Sequence, residues 1–513
     1  MENKPWYMRV LLAIQSFFTD IIGTIFKKIF RINVGASDNG NGGTNADDTD
    51  TDTDTDTDTD TDTDTDTMIQ WLKTNVFADG MPRSFEVPKD WSAIGEPDTV
   101  EGVIERIIIN NSISTYDGAT WQIALAVEGG KDNLAAADKF TEVLNSGSWS
   151  ELEIIRGYKE FIYRGKRLPE QNAYFFRLIS PNWQQPDPLD GKTHIKGYPG
   201  PDYDRDLIVW ADWKPITGEN AWVIIGALQT AYKKYNGEVP LDKDEFKLAE
   251  SIIPAMEALQ IDMGAILHAP EGTDGKDPDE ISTENDLSAY AALKMMHKVT
   301  NDSRYDRMMQ GLRSYFIEYA FDKSNNIFYQ GGKFKNNNFS PNLTFAVDCQ
   351  TWGIMVLTPK TIDEWFNEEG LAYKIWKNTK RRAGYYDVNG VLRGVGYSDE
   401  KDILSVEWTA GAIFAAHALA DYYKDSRGEE AARDARTMRE GIDELKLKIN
   451  SKETAYYYAN KRYYIPFGWW ANPILSTTST AWVYFVDKGF DPFLLGGRKD
   501  ISISIPNFSN SLK

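Results

Sequence analysis

The amino-acid sequence predicts an all-α protein: an (α/α)6 barrel of six helical hairpins, preceded by an N-terminal amphipathic helix and a disordered tether. Three observations lead there. A helix-start grammar, with an acid or hydroxyl near the cap and in most copies an aromatic soon after, opens six segments. They are Tyr116-Asp117-Gly118-Ala119-Thr120-Trp121, Thr217-Gly218-Glu219-Asn220-Ala221-Trp222, Ser282-Thr283-Glu284-Asn285-Asp286, Val347-Asp348-Cys349-Gln350-Thr351-Trp352, Ser405-Val406-Glu407-Trp408 and Ser476-Thr477-Thr478-Ser479-Thr480-Ala481-Trp482. From Glu219 onward the copies recur about every 60 to 70 positions, as a repeated structural unit does. Helices then alternate in character: Ala410 to Ala420 is small and apolar nearly all round, whereas the following stretch carries Glu429, Glu430, Arg433, Asp434, Arg436, Arg439, Glu440 and Glu444. The first kind is buried on both sides and the second has a solvated face, so inner and outer helices alternate.

Taken in order, residues 1–33 repeat apolar side chains at helical spacing (Val10, Leu11, Ile14, Phe17, Phe18, Ile21, Ile22, Ile25, Phe26), with Arg9, Asp20, Lys27 and Lys28 on the other side. Asp20 opposes a spanning helix and no small-residue cleavage site follows, so a membrane-surface anchor is expected, with a spanning or signal segment as the alternative. Its side, cell envelope or cytoplasmic face, stays open. Residues 34–67 are Gly, Asn, Thr and Asp, including nine Thr-Asp pairs from Thr49 to Asp66, and are expected to form an extended solvated linker. Globular sequence occupies 68–513. Helices are expected over about 98–113, 118–128, 133–146, 150–163, 219–236, 243–260, 284–300, 303–320, 344–357, 361–377, 404–424, 428–449 and 477–487. The last lacks an outer partner downstream, and 98–113 is expected to supply it. A Pro/Gly-rich insertion at about 164–218 reads as a loop shaping one rim of a cleft, with a merely decorative insertion as the alternative.

Composition narrows the function. The chain has 513 residues, 42% hydrophobic, enough for a large core. Its 16 Trp, 26 Tyr and 24 Phe exceed what a core needs, so some are expected to line a cleft. The formal charge is −21, and about −12 remains without the Thr-Asp run, which excludes nucleic acid as a partner. A single cysteine, Cys349, excludes a disulfide framework and a multi-cysteine zinc site. Asp202, Asp204 and Asp206 start like a calcium loop, but Leu207 and Trp213 stand where Gly and Glu are required. No phosphate-binding Gly loop or Ser-His-Asp elbow is present, so neither metal nor cofactor is expected.

Antiparallel alternation brings all six cap motifs to one end of the barrel. That places Asp117, Glu219, Glu284, Asp348 and Glu407 around one mouth, with Trp121, Trp222, Tyr290, Trp352, Trp408 and Trp482 beside them. An acid in a first helical turn is also a cap stabilised by the macrodipole, so each acid alone reads equally as structure. As a set, carboxylates and flat rings are what glycoside chemistry requires: a protonated acid for the leaving oxygen, an ionised partner for water, and apolar platforms for sugar rings. Glu284 is the expected acid because Asp286 is near, with Asp348 or Glu407 as base and Glu219 a further catalytic candidate. Asp117, Trp121, Trp222, Asn285, Gln350, Trp352, Trp408 and Asn472 are the expected carbohydrate contacts. Trp469 and Trp470, in the aromatic loop Tyr463 to Pro473, are expected to form a sugar platform, with simple lid packing as the alternative. His417, ten residues into its helix from Glu407, reads as a core histidine, which leaves His194 and His268 as loop imidazoles.

Thr-Gly-Glu219-Asn-Ala-Trp, Ser-Thr-Glu284-Asn-Asp, Val-Asp348-Cys-Gln-Thr-Trp and Val-Glu407-Trp-Thr, on this architecture, resemble the six-hairpin glycosidase superfamily over about 98–490. The resemblance implies a carbohydrate substrate in a cleft at the helix N-terminal end, and mostly inverting hydrolases among its members. The function expected is thus a glycoside hydrolase. A non-catalytic carbohydrate-binding or scaffold protein, and a lyase or sugar epimerase, are the alternatives.

Overall fold

A computed structural model describes residues 59–497 apart from 90, 96–99, 270–278 and most of 147–214, all within one compact unit, 58–513. The anchor helix over 1–33, the linker over 34–58, most of the insertion with Asp202, Asp204, Asp206 and His194, and the helix expected over 150–161 lie outside the described residues.

Fourteen helices are described: α1 Thr59–Thr74, α2 Val100–Asn111, α3 Thr115–Glu128, α4 Lys131–Ser146, α5 Thr217–Lys234, α6 Asp244–Leu259, α7 Thr283–Thr300, α8 Ser303–Glu318, α9 Val347–Leu357, α10 Pro359–Phe366, α11 Leu371–Ala383, α12 Val406–Tyr422, α13 Ser426–Ile442 and α14 Thr477–Asp487. Each of α3, α5, α7, α9, α12 and α14 packs on the next, and α14 closes onto α3. These six inner helices are buried almost all round. The chain therefore folds as an (α/α)6 barrel.

The ring closes differently from the expectation. The sixth outer position is held by α1, which packs against α14 and α3, while α2 meets mainly the short strand Ser112–Ser114. Met68, Ile69, Trp71 and Leu72 of α1 are buried, Thr67 Oγ1 donates to Thr454 Oγ1 at 3.0 Å, and Asn75 Nδ2 donates to Thr477 Oγ1 at 3.0 Å. Lys446 pairs with Asp64. The linker expected to run through residue 67 thus ends by Thr59: Thr-Asp repeats carry no apolar period, so only tertiary contacts reveal this helix.

Three other expectations shift. Residues 361–377 form two helices, broken where Asn367 and Gly370 adopt left-handed conformations. The stretch 428–449 leaves helix at Ile442 and becomes the strand Lys446–Asn450, paired with Glu453–Tyr456. Ile162–Tyr163, at the end of the expected 150–163 helix, pairs as strand with Lys166–Arg167, in keeping with the β-prone Phe161-Ile162-Tyr163 before Gly165.

A repeated device fixes the helix N-termini. The first backbone N–H of each inner helix donates to a carbonyl of a neighbouring extended segment: Thr115 to Phe176, Thr217 to His268, Thr283 to Gln330, Val347 to Tyr397, Val406 to Tyr458 and Thr477 to Ser84. Four residues past the N-cap, a side chain holds another such segment. Asn220, Asp286, Gln350, Thr409 and Thr480 accept from the N–H of Tyr174, Ile266, Phe328, Val395 and Tyr456 respectively. The equivalent in α3 is Gly118, whose missing side chain makes room for Phe140. Orphan donors at the helix starts are thereby satisfied and all six starts are held at one end.

The opposite end is closed by the chain after α14. Gln229 Nε2 donates to the carbonyls of Pro492 (2.9 Å) and Leu494 (2.8 Å), and Gly496 N donates back to Gln229 Oε1 at 2.9 Å. This clamp seats Phe493 in the barrel axis against Trp222 and Trp352, with ring centroids 5.0 and 5.1 Å away.

Candidate active site

Counting from each N-cap gives the site its geometry. Two residues past the caps stand Tyr116, Gly218, Glu284, Asp348, Glu407 and Thr478; one turn further in, four positions on, stand Thr120, Trp222, Ser288, Trp352, Gly411 and Trp482. Residues four apart share a helix face, so both rings line the barrel axis. Their contacts bear this out: Ser288 Oγ donates to Glu284 Oε1 at 3.0 Å, and the Trp222, Trp352 and Trp482 rings lie within 6.0 Å of one another. A side chain at Gly411 would meet Trp352 Nε1 at 3.0 Å, so glycine there lets the indole extend beneath Glu407.

The floor is thus aromatic and the ring above it acidic. Glu219, Glu284 and Asp348 retain partly open surfaces, while Glu407 and Asp117 are buried. Glu284 and Asp348 are nevertheless densely enclosed. Burial, then the charges of Asp348, Glu219 and Glu407, push the Glu284 carboxyl well above its ordinary range, against the Ser288 hydrogen bond. Burial raises Asp348 to about 7, opposed by hydrogen bonds from Cys349, whose backbone N–H lies 2.6 Å from Oδ1. Burial raises Glu407 to about 8, opposed by the hydrogen bond from Tyr116 and assisted by the charges of Asp117 and Asp348. Asp117 is raised by burial, against hydrogen bonds from Ser84 and Thr478 and the charge of Arg177.

The reason expected for a raised Glu284 is corrected here. Asp286 does not act on it; two residues on, it is turned about 200° around the helix and reaches Ile266 N instead. The like charges come chiefly from Asp348 and Glu219 on the two neighbouring inner helices.

Tyr116 is the axial residue that pattern reading passed over. Its hydroxyl donates to Glu407 Oε1 at 2.7 Å and accepts from Trp482 Nε1 at 2.7 Å, joining three inner helices. Its place in the same register as Glu284, Asp348 and Glu407 was the available signal.

Several expected sugar contacts are committed elsewhere. Trp121 lies seven residues past its cap, one beyond the axial register, and donates from Nε1 to Leu72 O in α1. Tyr290 faces Phe316 and Trp365 on the outer layer. Trp408 is buried edge-on to Tyr397 and stacked on Phe467. Gln350 spends its amide on Phe328 and Ala346 backbone. Asn472 is bound by the Glu105–Arg462 ion pair, and Asn285 Nδ2 meets His268 Nδ1 at 2.9 Å. Trp222 and Trp352 lie in the floor. Trp469 and Trp470, on the hairpin Tyr463–Ile465/Trp469–Ala471, are 42% and 41% exposed, open enough for a rim platform. His417 is largely buried and lowered from its ordinary range chiefly by burial, as a core histidine is. Among the described residues no group of His, Cys, Asp and Glu is arranged to hold a metal ion.

No protein-family model matches the sequence, and no curated protein matches it. Solved structures do match in fold. A sugar epimerase from a ruminal bacterium aligns with a TM-score of 0.52 at 11% identity, over 84% of this chain and 98% of its own. An unsaturated glucuronyl hydrolase specific for heparin aligns at 0.49 and 11%, over 83% and 95%. A GH76 α-mannanase from Bacteroides thetaiotaomicron aligns at 0.44 and 12%, over 73% and 85%. The chain shares the (α/α)6 fold of that epimerase.

Proposed function

We propose that this protein is a glycoside hydrolase acting on an oligo- or polysaccharide, with Glu284 as general acid and Asp348 as general base. The observation that carries the reading is the axial ring of Glu284, Asp348 and Glu407 with Glu219 beside it, enclosed over an indole floor. Helix capping does not account for it. The side-chain caps of α7, α12 and α14 are Ser282, Ser405 and Ser476, so Glu284 and Glu407 are not needed as caps. Enclosing mutually repelling acids costs stability, and such cost is characteristic of functional sites.

The roles follow from the surroundings. The helix N-terminus and the Cys349 N–H favour charge on Asp348, so of this coupled pair Asp348 takes the ionised form. Glu284, surrounded by like charge, keeps the proton for the leaving oxygen. They stand on adjacent inner helices, whose axes are typically about 8–10 Å apart. A separation of roughly 6.5–9.5 Å between the two carboxyls would admit a water and give inversion, and about 5 Å would give retention. Trp469 and Trp470 would extend the site as a rim platform, and residues 1–33 would hold the enzyme at a membrane surface.

The test is a glycan screen of the full chain reading reducing ends, with product configuration followed by NMR. Glu284→Gln and Asp348→Asn are each expected to lower turnover by about 10²–10⁴-fold while leaving the folded spectrum intact. Glycan binding with no turnover in the wild type would move the protein to the binding-module reading. Epimerised or isomerised sugar as product would move it to the other chemistry of this fold.

A further inference from the structure

Resting on the hydrolase reading, we infer that the outer face of the hairpin Tyr463–Ile465/Trp469–Ala471 is a second carbohydrate position, which holds a polysaccharide apart from the acid ring. Successive side chains on a strand point to opposite faces, so Trp469 and Trp470 offer their rings in two directions. Their contacts divide accordingly. Trp469 Nε1 donates to Tyr458 Oη at 3.3 Å, and its ring lies 6.0 Å from Phe467, which stacks on Trp408. The Tyr458 carbonyl accepts from Val406 N at the start of α12, so this indole borders the segment that pins the Glu407 helix. Trp470 turns the other way. It pairs across the hairpin with Tyr464, ring centroids 5.1 Å apart at 65°, and the Arg462 guanidinium lies 4.0 Å from its centroid.

The outer corner is held from behind. Glu105 of α2 accepts from Arg462 Nη1 and Nη2 at 2.9 and 2.8 Å and from Asn472 Nδ2 at 2.6 Å, which fixes the guanidinium that backs Trp470. Tyr464 and Trp470 nevertheless stay 50% and 41% exposed. Rings already held in place lose little freedom when a ligand arrives, so stacking against them is kept as affinity. Together they leave on the order of 200 Å² open, far short of the roughly 800 Å² each partner gives to a stable protein interface. A flat pair of that size matches the C–H faces of one or two sugar rings. The net charge of about −12 outside the Thr-Asp run opposes an anionic membrane in that role. Because the pair faces Arg462 and α2, one substrate reaches both it and the acid ring only if its chain is long. The substrate class is therefore a polysaccharide.

The experiment runs the full-length Glu284→Gln protein, which leaves the polymer intact, on native gels cast with mannan, xylan, mixed-linkage glucan, polygalacturonate or chondroitin. The expected result is retardation by at least one of them. Replacing both rings, Tyr464→Ala with Trp470→Ala, should weaken that affinity about tenfold, and Trp470→Phe with Tyr464 kept should retain most of it. In the active enzyme, loss of both rings should raise KM for the retarding polymer about tenfold more than KM for its trisaccharide, whereas Trp469→Ala should raise the two alike. Absence of retardation on every gel, or retardation that survives loss of both rings, would overturn this inference and leave the hydrolase reading standing. Retardation that depends on the pair, without turnover of that polymer or its trisaccharide by the wild type, would overturn the hydrolase reading alone. Cosedimentation with phosphatidylcholine vesicles that weakens in the double variant would give the pair to a membrane and overturn the inference.

Discussion

Asp286 occupies a position where its structural equivalents are amides, hydroxyls or, in α3, a glycine, and Asp286→Asn is expected to stabilise the protein. Asn220 accepts from Tyr174 N at 2.8 Å and donates to Tyr174 O at 2.9 Å; Gln350 does the same with Phe328, both at 2.8 Å. Asp286 accepts from Ile266 N at 3.1 Å, but its second oxygen is buried without a partner. Burial raises its carboxyl well above the ordinary range, so folding binds a proton there. For an acid whose folded affinity for protons exceeds the unfolded one, stability is full below the unfolded value near 3.9 and falls as pH rises. An asparagine could donate where the carboxylate cannot, and it carries no charge to desolvate. Relieving one unsatisfied buried group is worth about 1–3 kcal/mol. Across about 440 residues, at about 2.1 cal/mol/K each, that corresponds to a Tm rise of about 1–3 °C. Calorimetric scans at pH 4 and pH 8 read it: the variant should gain at pH 8 and show little difference at pH 4. A variant less stable than wild type at pH 8, or a gain independent of pH, would refute the protonated-clamp argument.

Other outcomes follow from the same geometry. Glu407→Gln should raise Tm at pH 8.5 and not at pH 5, because burial lifts that carboxyl to about 8; scanning calorimetry at both values checks it. With Asp348 raised to about 7 and Glu284 higher, kcat/KM should climb as pH rises through about 7, where the base ionises, and fall again once Glu284 loses its proton. A flat pH–rate profile would remove this pair from the chemistry. Deleting residues 1–67 removes the first half of α1 with its Asp64–Lys446 and Thr67–Thr454 contacts, whereas deletion of 1–58 spares them. The shorter chain should lose several degrees in Tm relative to the longer one. Phe493→Ala, which empties space beneath the indole floor, should cost about 3–5 kcal/mol in a urea titration.

The barrel itself was legible because its inner helices carry two signals at once, an apolar circumference and a hydroxyl or acid at the start. Both survive in sequence because they depend on residues within a few positions of one another. The closing helix was not legible: Thr59 to Asp66 alternates Thr and Asp, and only the surfaces of α3 and α14 make Met68, Trp71 and Leu72 a buried face. The acid ring fell between these cases. Glu284, Asp348 and Glu407 were found by their nearness to a cap, but nearness does not separate axial from sideways. The discriminating quantity is the offset from the N-cap, and a change of one residue turns a side chain by about 100°. That rotation sends Trp121 to Leu72 while Trp222, Trp352 and Trp482 reach the axis, and it puts Tyr116 rather than Asp117 in register with the carboxylates. Since N-caps are the least certain positions in a sequence, the offset becomes readable only once the segments that pin each helix start are placed. Those segments are held by the fourth residue past five of the six caps, so the side chains that fix the register, Asn220, Asp286, Gln350, Thr409 and Thr480, also decide which residues face the axis.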